Sequence, residues 1–344
     1  MGIRRILSFL SNHANICGIQ KTNLIKLPKT IKTHSQDKPI IIAVDFNQIL
    51  FNHIYTYNKY NLLDDLHIYL EKKFTQMINK FAKLNIKLIF VMDGKPSAHK
   101  KFTISKRKER IDRYTTIYNE QVTDDEITPK MKCKTTHITY DDCNHMEQYF
   151  AKNKIPFIHH DDYEADVICK WLVQYEYADY ALSNDTDLLA YGCKHILMDL
   201  QYADNTVTYI NYQTVINSIN MTPEKFLDLC ISCGTDYNSR FTNTLIVYKL
   251  FQIQTTTDGK SSPEFKYQNL QHIIAELDNI KIQYPEILGK DIKDIKAPTY
   301  LDYQLVYSIF QIKFKKDEIH KFLSMKHIYS EQKLLDSTKQ YPER

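Results

Sequence analysis

Ile40-Ile41-Ile42-Ala43-Val44-Asp45 is six residues long, apolar, rich in β-branched side chains and closed by a carboxylate. The pattern returns twice. Leu88-Ile89-Phe90-Val91-Met92 runs into Asp93, and Tyr180-Ala181-Leu182-Ser183 leads to Asn184-Asp185. Short β-branched runs separated by helical stretches read as buried parallel strands, not as the alternating strands of an antiparallel sheet. The expected fold class is α/β, with a central, mostly parallel sheet and helices on both faces. In open sheets of this kind, ligands bind at the carboxyl ends of the strands, which is where these aspartates stand.

Further acidic residues follow the same logic. Glu164-Ala165-Asp166 places two carboxylates in the first turn of an expected helix, Asp185-Thr186-Asp187 places two in one turn, and Asp236 follows Cys233-Gly234-Thr235. Each has an ordinary explanation when taken singly. Asp93-Gly94 is a turn dipeptide, Asp162, Glu164 and Asp166 complement a helix N-terminus, and Asn184–Asp187 can cap a helix. As a group, Asp45, Asp93, Glu164, Asp166, Asp185, Asp187 and Asp236 form an oxygen-only donor set. Buried together they would repel one another unless cations held them. Such donors suit Mg²⁺ or Mn²⁺. Two such ions about 4 Å apart can activate water and stabilise the leaving oxygen of a phosphodiester.

The remaining composition narrows the class. An apolar share of 43% in 344 residues supports a real core. The net charge of +4 is mild, but residues 95–113 hold eight basic side chains (Lys95, Lys100, Lys101, Lys106, Arg107, Lys108, Arg110, Arg113) against Glu109 and Asp112. That stretch reads either as a solvated helix face or as a surface for a phosphate polymer. Seven cysteines without framework spacing point to a reducing compartment. Cys230-Ile231-Ser232-Cys233 lacks a second ligand pair for zinc and reads as buried small residues in a helix. His159 and His160 are neighbours on a strand, so they face opposite ways and are poor partners for one ion. No run reaches the ~20 apolar residues of a membrane span, and Ile6 stands where myristoylation at Gly2 wants Ser or Thr. An intracellular protein is expected, with no membrane partner.

Along the chain, a short amphipathic helix opens residues 1–37. Leu66, Leu70, Phe74, Met77, Ile78 and Phe81 trace a core face on a helix over about 64–84. Residues 98–150 are charged and helical with an interruption near 123–134, and read as an insertion. After a β-rich stretch (196–210) the chain turns helical from about Thr222, with Lys260-Ser261-Ser262-Pro263 as a loop. The expected segments are residues 1–97 and 151–238 as two parts of one core, 98–150 as the insertion and 239–344 as a helical support region.

At this point the residues resemble the flap endonuclease family of structure-specific 5′ nucleases (XPG/RAD2-like). The matching segments are Met1-Gly2-Ile3, Val44-Asp45 with Phe51 six residues on, and Phe90-Val-Met-Asp93-Gly-Lys-Pro96. They continue with Tyr163-Glu-Ala-Asp166 after Ile155-Pro156, Asn184-Asp-Thr-Asp187, and Asp228-Leu-Cys-Ile-Ser-Cys-Gly-Thr-Asp236-Tyr237. The resemblance runs from residue 1 to about 238, with a weak stretch between 115 and 150. It implies a PIN-like nuclease core and a compact member, of the kind a large DNA virus carries, working in replication, recombination or repair. The activity it implies is 5′-flap endonuclease and 5′→3′ exonuclease.

The resemblance also implies roles. Asp45, Asp93, Glu164 and Asp166 would be the primary metal cluster, and Asp185, Asp187 and Asp236 the second, with two Mg²⁺ as cofactors that Mn²⁺ can replace. Lys100 and Arg107 would stabilise the scissile phosphate. Phe51 would stack on a base, and Gly2 would bring the amino end to the DNA junction. Lys95, Lys101, Lys106 and Arg110 would add contacts to nucleic acid, and residues 98–150 would form a helical arch. The expected partner is DNA with a 5′ flap, nick or end, RNA being the alternative. A monomer with no evident sliding-clamp tail is expected, in the nucleus or at a cytoplasmic viral replication site.

One departure stands out. The family's glycine-containing hairpin after Gly-x-Asp-Tyr is absent, because Asn238 to Lys249 contains no glycine. Its phosphate-gripping backbone and monovalent-cation site are thereby put in question. Two other functions fit the same fold: an endoribonuclease, and an inactive nucleic-acid-binding scaffold.

Overall fold

The three apolar runs are strands in the computed structural model. It describes residues 2–3, 5–12, 18–30, 38–95, 98–120, 132–257, 260–288 and 300–312. Up to Ser183 the elements are α1 (Ile6–Asn12), β1 (Ile19–Asn23), β2 (Ile40–Asp45), α2 (Phe46–Lys59), α3 (Leu66–Lys83), β3 (Ile86–Met92), α4 (Lys101–Glu120), α5 (Tyr140–Lys152), β4 (Phe157–His159), α6 (Ala165–Gln174) and β5 (Tyr180–Leu182). Beyond it come α7 (Asp187–Ala190), β6 (His195–Gln201), β7 (Thr206–Asn211), α8 (Tyr212–Ser218), α9 (Pro223–Ser232), α10 (Thr244–Phe251), β8 (Gln254–Thr257), β9 (Lys260–Phe265), α11 (Leu270–Ala275), α12 (Leu277–Gln283), α13 (Pro285–Leu288) and α14 (Tyr300–Phe310). The chain is α/β and divides into two units. Asn23–Ser183 lies in one, and Met1–Thr22 with Asn184–Lys313 forms the other.

In the first unit the strands run β5-β2-β3-β4, all parallel. Val44 pairs with Phe90 on one side and with Leu182 on the other. Every residue of β2 and β3 is buried, so both faces are covered. Phe90 meets Phe46 of α2, Phe74 of α3 and Phe150 of α5 in one aromatic cluster, with ring centroids 4.8–6.4 Å apart. α6 packs against β2, β3 and β5. The core face of α3 is Tyr69, Leu70, Phe74, Met77, Ile78 and Phe81. The expected periodicity is present, with Tyr69 in the place expected for Leu66.

A buried aspartate fastens the start of the sheet. Asp179 is 1% exposed and accepts hydrogen bonds from the Thr30 amide (2.8 Å), the Thr30 hydroxyl (3.1 Å) and the Ile41 amide (2.9 Å). Three donors make burial of this charge tolerable.

In the second unit the strand order is β1-β7-β6, with β6 and β7 antiparallel. The last described helices converge on Asp228 of α9, which is 1% exposed. Its Oδ2 accepts from the Leu270 amide at 2.9 Å, and its Oδ1 accepts from the Tyr303 hydroxyl, tying α11 and α14 to α9. The expectation of helix throughout this region is corrected at one place. Residues 254–265 form the hairpin β8-β9, and Lys260-Ser261-Ser262-Pro263 is the start of its second strand instead of a loop. Gln254 pairs with Phe265, Thr256 with Ser261 and Thr257 with Lys260 across the hairpin; Pro263 masked that pattern in the sequence, since proline weakens a strand reading.

Phe74→Ala removes the ring at the centre of the aromatic cluster and should cost about 3–5 kcal/mol in stability, read from the urea midpoint. A pH effect follows from Asp228, whose carboxyl is pushed up to about 6 by burial, against the opposing hydrogen bonds of Tyr303 and Leu270 and the charge of Lys225. The folded value exceeds the unfolded one, so folding takes up a proton between roughly pH 4 and this value. That stability is complete below the unfolded pKa and is lost as pH rises through about 6. Asp228→Asn should flatten this component in urea midpoints measured from pH 4 to 7.

Candidate metal and nucleic-acid site

Parallel register sets the site of the first unit. Asp45 ends β2 opposite Ser183, the residue after β5, and Asp93 directly follows β3. Asp45 is 8% exposed. Its Oδ2 accepts from the Ser183 hydroxyl at 2.8 Å and its Oδ1 from the Gln48 amide at 3.2 Å, so it also caps α2. Asp93 is brought to the N-terminus of α6, where its Oδ1 accepts from the Ala165 amide at 2.8 Å. Glu164 is the N-cap of that helix and makes no side-chain cap bond. Its Oε2 instead accepts from the Lys100 ammonium. Asp166, 8% exposed, lies in the first turn of the same helix. The structure therefore brings Asp93 and Lys100 to the start of α6, where Glu164 and Asp166 stand, while Asp45 closes the neighbouring strand β2.

Gly94 explains how Asp93 reaches α6. Its amide donates to Tyr163 O at 3.0 Å, and the Lys95 amide donates to Asp161 O at 2.7 Å. A Cβ on Gly94 would lie 1.9 Å from the His160 carbonyl oxygen. Only glycine permits that approach.

In the second unit Asp185 Oδ1 accepts from the Asp187 amide at 3.0 Å, opening the short helix α7. The N-terminal segment packs on this turn. The Thr186 hydroxyl donates to Ile3 O at 3.2 Å, and a Cβ on Gly2, whose φ is +86°, would lie 2.0 Å from Asp185 Oδ1. Gly2 thus belongs beside Asp185 for steric reasons. α7 packs on α9, and Asp236 stands in the loop after α9. Cys230 and Cys233 of that helix are buried, free thiols. Burial pushes Cys233 up to about 11, and burial followed by the charges of Cys233, Asp187 and Asp228 raises Cys230 well above the usual range. Protonated, buried thiols are poor zinc ligands.

The basic residues divide. Lys100 closes a 3-10 turn (Ala98–Lys100) just before α4 and reaches Glu164. Arg107 lies two turns along α4 and is half-buried, while Lys106 and Arg110 on that helix and Lys95 before it are exposed. The side chain of Lys101 and residues 121–131 of the expected arch lie outside the described residues. Phe51 is 39% exposed on α2. His159 and His160 are engaged elsewhere: His159 Nδ1 is 3.3 Å from Glu147 Oε2, and His160 Nδ1 accepts from the Asp162 amide at 3.0 Å. Ser183 is the site residue the sequence reading passed over. Its signal was its position directly after a strand that pairs with β2.

The donors are carboxylate oxygens, which fit a hard divalent cation and not a soft one. Among the described residues, no three His, Cys, Asp or Glu side chains stand close enough together to hold one ion. Instead Asp45, Asp93, Glu164 and Asp185 are each hydrogen-bonded or ion-paired with a neighbour, as Coulomb repulsion between carboxylates favours.

The loop after Asp236 shows how the chain manages without the glycine hairpin. Asn238 Oδ1 accepts from the amide and hydroxyl of Thr235, and its Nδ2 donates to the carbonyls of Ile231 and Ser239. Arg240 Nε donates to Thr242 O at 2.7 Å, and Asn243 caps α10. Between Cys233 and Thr244 the left-handed conformation occurs at Gly234 alone. A side-chain amide closes this turn in place of glycine geometry.

Comparison with known proteins agrees with this arrangement. Profiles of the XPG N-terminal domain and the XPG I-region match residues 1–114 and 154–236, together more than half of the chain. The chain belongs to the XPG/RAD2 family. All seven carboxylates fall within the matched regions.

Probable RAD2-like endonuclease 369L of Invertebrate iridescent virus 6 is 30% identical over 156 residues, 42% of this chain and 37% of the relative. Flap endonuclease 1 of Theileria annulata is 24% identical over 265 residues (72% and 50%), and that of Cryptosporidium muris 25% over 309 (83% and 60%). The chain thus spans roughly two-fifths to three-fifths of these curated relatives. Among solved structures, the catalytic core of Rad2 in complex with DNA substrate aligns with a TM-score of 0.61 at 15% identity, covering 98% of this chain and 100% of that one. GEN1, a Holliday junction-resolving enzyme in complex with product DNA and Mg²⁺, aligns at 0.58 and 14% identity, covering 94% and 68%. These likenesses establish the shared fold.

Gly94→Ala should cost about 1–3 kcal/mol in stability, because the added methyl drives Asp93 away from α6. Thermal melting reads the loss, and Lys95→Ala, at the exposed neighbouring position, should melt as the unaltered protein does.

Proposed function

We propose that this chain is a divalent-metal-dependent, structure-specific 5′ nuclease acting on DNA with a 5′ flap, nick or end, in replication, recombination or repair. The observation that carries this reading is the complete acidic set, standing after strands and at helix starts in a member of the XPG/RAD2 family. Relatives named flap endonuclease 1, and structural neighbours holding DNA substrate or product DNA with Mg²⁺, support the substrate and the metal.

Asp45, Asp93, Glu164 and Asp166 would hold one Mg²⁺, and Asp185, Asp187 and Asp236 a second. Bound there, the ions would supply the acidity that makes water a nucleophile and the charge that stabilises the leaving oxygen. Ser183 and the capped amides fix the direction of Asp45 and Asp93 before any ion enters, which lowers the cost of assembling the site. Lys100, released from Glu164 as a cation takes over that carboxylate, would be free to pair with the scissile phosphate as negative charge builds on it. Hydrolysis in line with the leaving 3′ oxygen would give 5′-phosphate and 3′-hydroxyl ends.

The test is cleavage of a 5′-labelled flap duplex in Mg²⁺, beside matched single-stranded DNA and RNA. Cutting near the junction is expected, abolished by EDTA and reduced about a hundredfold or more in Asp93→Asn and Asp185→Asn. Mn²⁺ should raise the melting temperature of the unaltered protein more than that of Asp185→Asn, a readout independent of turnover. Cutting of RNA alone would replace the DNA reading by the endoribonuclease one. Cleavage that survives both substitutions would overturn the site.

A further inference from the structure

α2 presents more than Phe51 to solvent. Its core face is Phe46, Ile49, Leu50 and Ile54, all buried. On the opposite side Phe51 and Tyr55, one turn apart, are 39% and 40% exposed. Their rings are nearly parallel, tilted by 26°, with centroids 6.4 Å apart. Lys59 continues the line one turn further and is exposed. Its ammonium lies 5.5 Å from the Tyr60 ring centroid, a weak contact at the surface that a phosphate can replace.

Single exposed aromatics are common and carry no message. Two parallel rings aligned with a cation, on a helix whose core face is already complete, carry a more specific one. Flat faces with a neighbouring positive charge match unpaired bases on a phosphate backbone and ask for no particular base. The spacing agrees. Four helical residues advance about 6 Å, close to two base steps of about 3.4 Å each. The helix starts at Asp45, so a strand leaving that carboxylate along α2 would meet Phe51 first, then Tyr55, then Lys59.

We propose that Tyr55 is a second base-stacking residue, forming with Phe51 a two-ring platform for unpaired bases of the substrate strand, with Lys59 on its phosphate. The proposal rests on the nuclease reading above and specifies which part of the protein grips the single strand. It assigns Tyr55 and Lys59 to binding and gives them no part in bond cleavage.

The experiment uses the full chain carrying Asp185→Asn, so that flap DNA is bound without being cut. 2-Aminopurine is placed at successive unpaired positions, and stacking is read as fluorescence quenching. Two quenched positions are expected. Tyr55→Ala should relieve the one farther from the junction and weaken binding about tenfold, Phe51→Ala should relieve the nearer one, and Tyr55→Phe should preserve both. Tyr60→Ala, at an exposed ring off this line, should change neither. Each variant's melting temperature controls for folding. If Tyr55→Ala keeps the affinity and the quenching of the parent protein while the unaltered enzyme cuts flap DNA, the platform is overturned and the nuclease reading stands. If the unaltered protein neither cuts nor binds any nucleic acid, both are overturned together.

Discussion

The parallel pairing of β2 with β3 and β5 is the constraint on which the first unit depends. Parallel strands need crossover connections, and here these are helices that cover the sheet. Burial on both faces then demands apolar side chains along β2 and β3, Lys87 excepted, and leaves the carboxyl ends of the strands as places where polar groups can stand. Asp45, Asp93 and Ser183 occupy those ends. A one-residue slip of β2 would turn Asp45 to the other face and separate it from Ser183. The aromatic cluster of Phe46, Phe74, Phe90 and Phe150 opposes such a slip because each ring is packed against the others.

Several of the acidic residues already have a structural purpose. Asp45 caps α2 and Asp93 accepts from the first amide of α6. The ordinary explanation, as a cap or turn residue, is therefore true in the structure for Asp45, Asp93 and Asp185 and compatible with a role in metal binding. Hydrogen bonds from helix N-termini hold these carboxylates oriented while the fold stands alone. The Lys100–Glu164 pair works similarly, supplying a positive charge beside the acidic group. What differs between capping and cation binding is only the partner of each oxygen.

The loop after Asp236 shows how a family feature can be rebuilt with different chemistry. Asn238 bridges the end of α9 to the loop through four hydrogen-bonding contacts, and Asn243 caps α10. Glycine offers bare amide groups in left-handed geometry. Asn offers a side-chain amide that closes the turn on itself, and fewer backbone donors remain directed outward.

Much of this was legible in the sequence. Three apolar runs ending in carboxylates gave the α/β class, and the periodicity of residues 64–84 gave the core face of α3, because burial imposes a regular pattern on neighbouring residues. The β8-β9 hairpin was not legible, since its pairing joins mostly polar residues and Pro263 interrupts the second strand. Nor was Ser183, whose importance comes from standing beside Asp45, 138 residues away. Composition and local order thus determined which residues are strands, caps and acids. The tertiary structure alone decided that Asp93 reaches the start of α6 and Lys100 reaches Glu164, that Gly2 and Gly94 must be glycine because Asp185 and the His160 carbonyl crowd them, and that Tyr55 shares an exposed face with Phe51. Those are matters of distance, and distance between remote residues is set by packing.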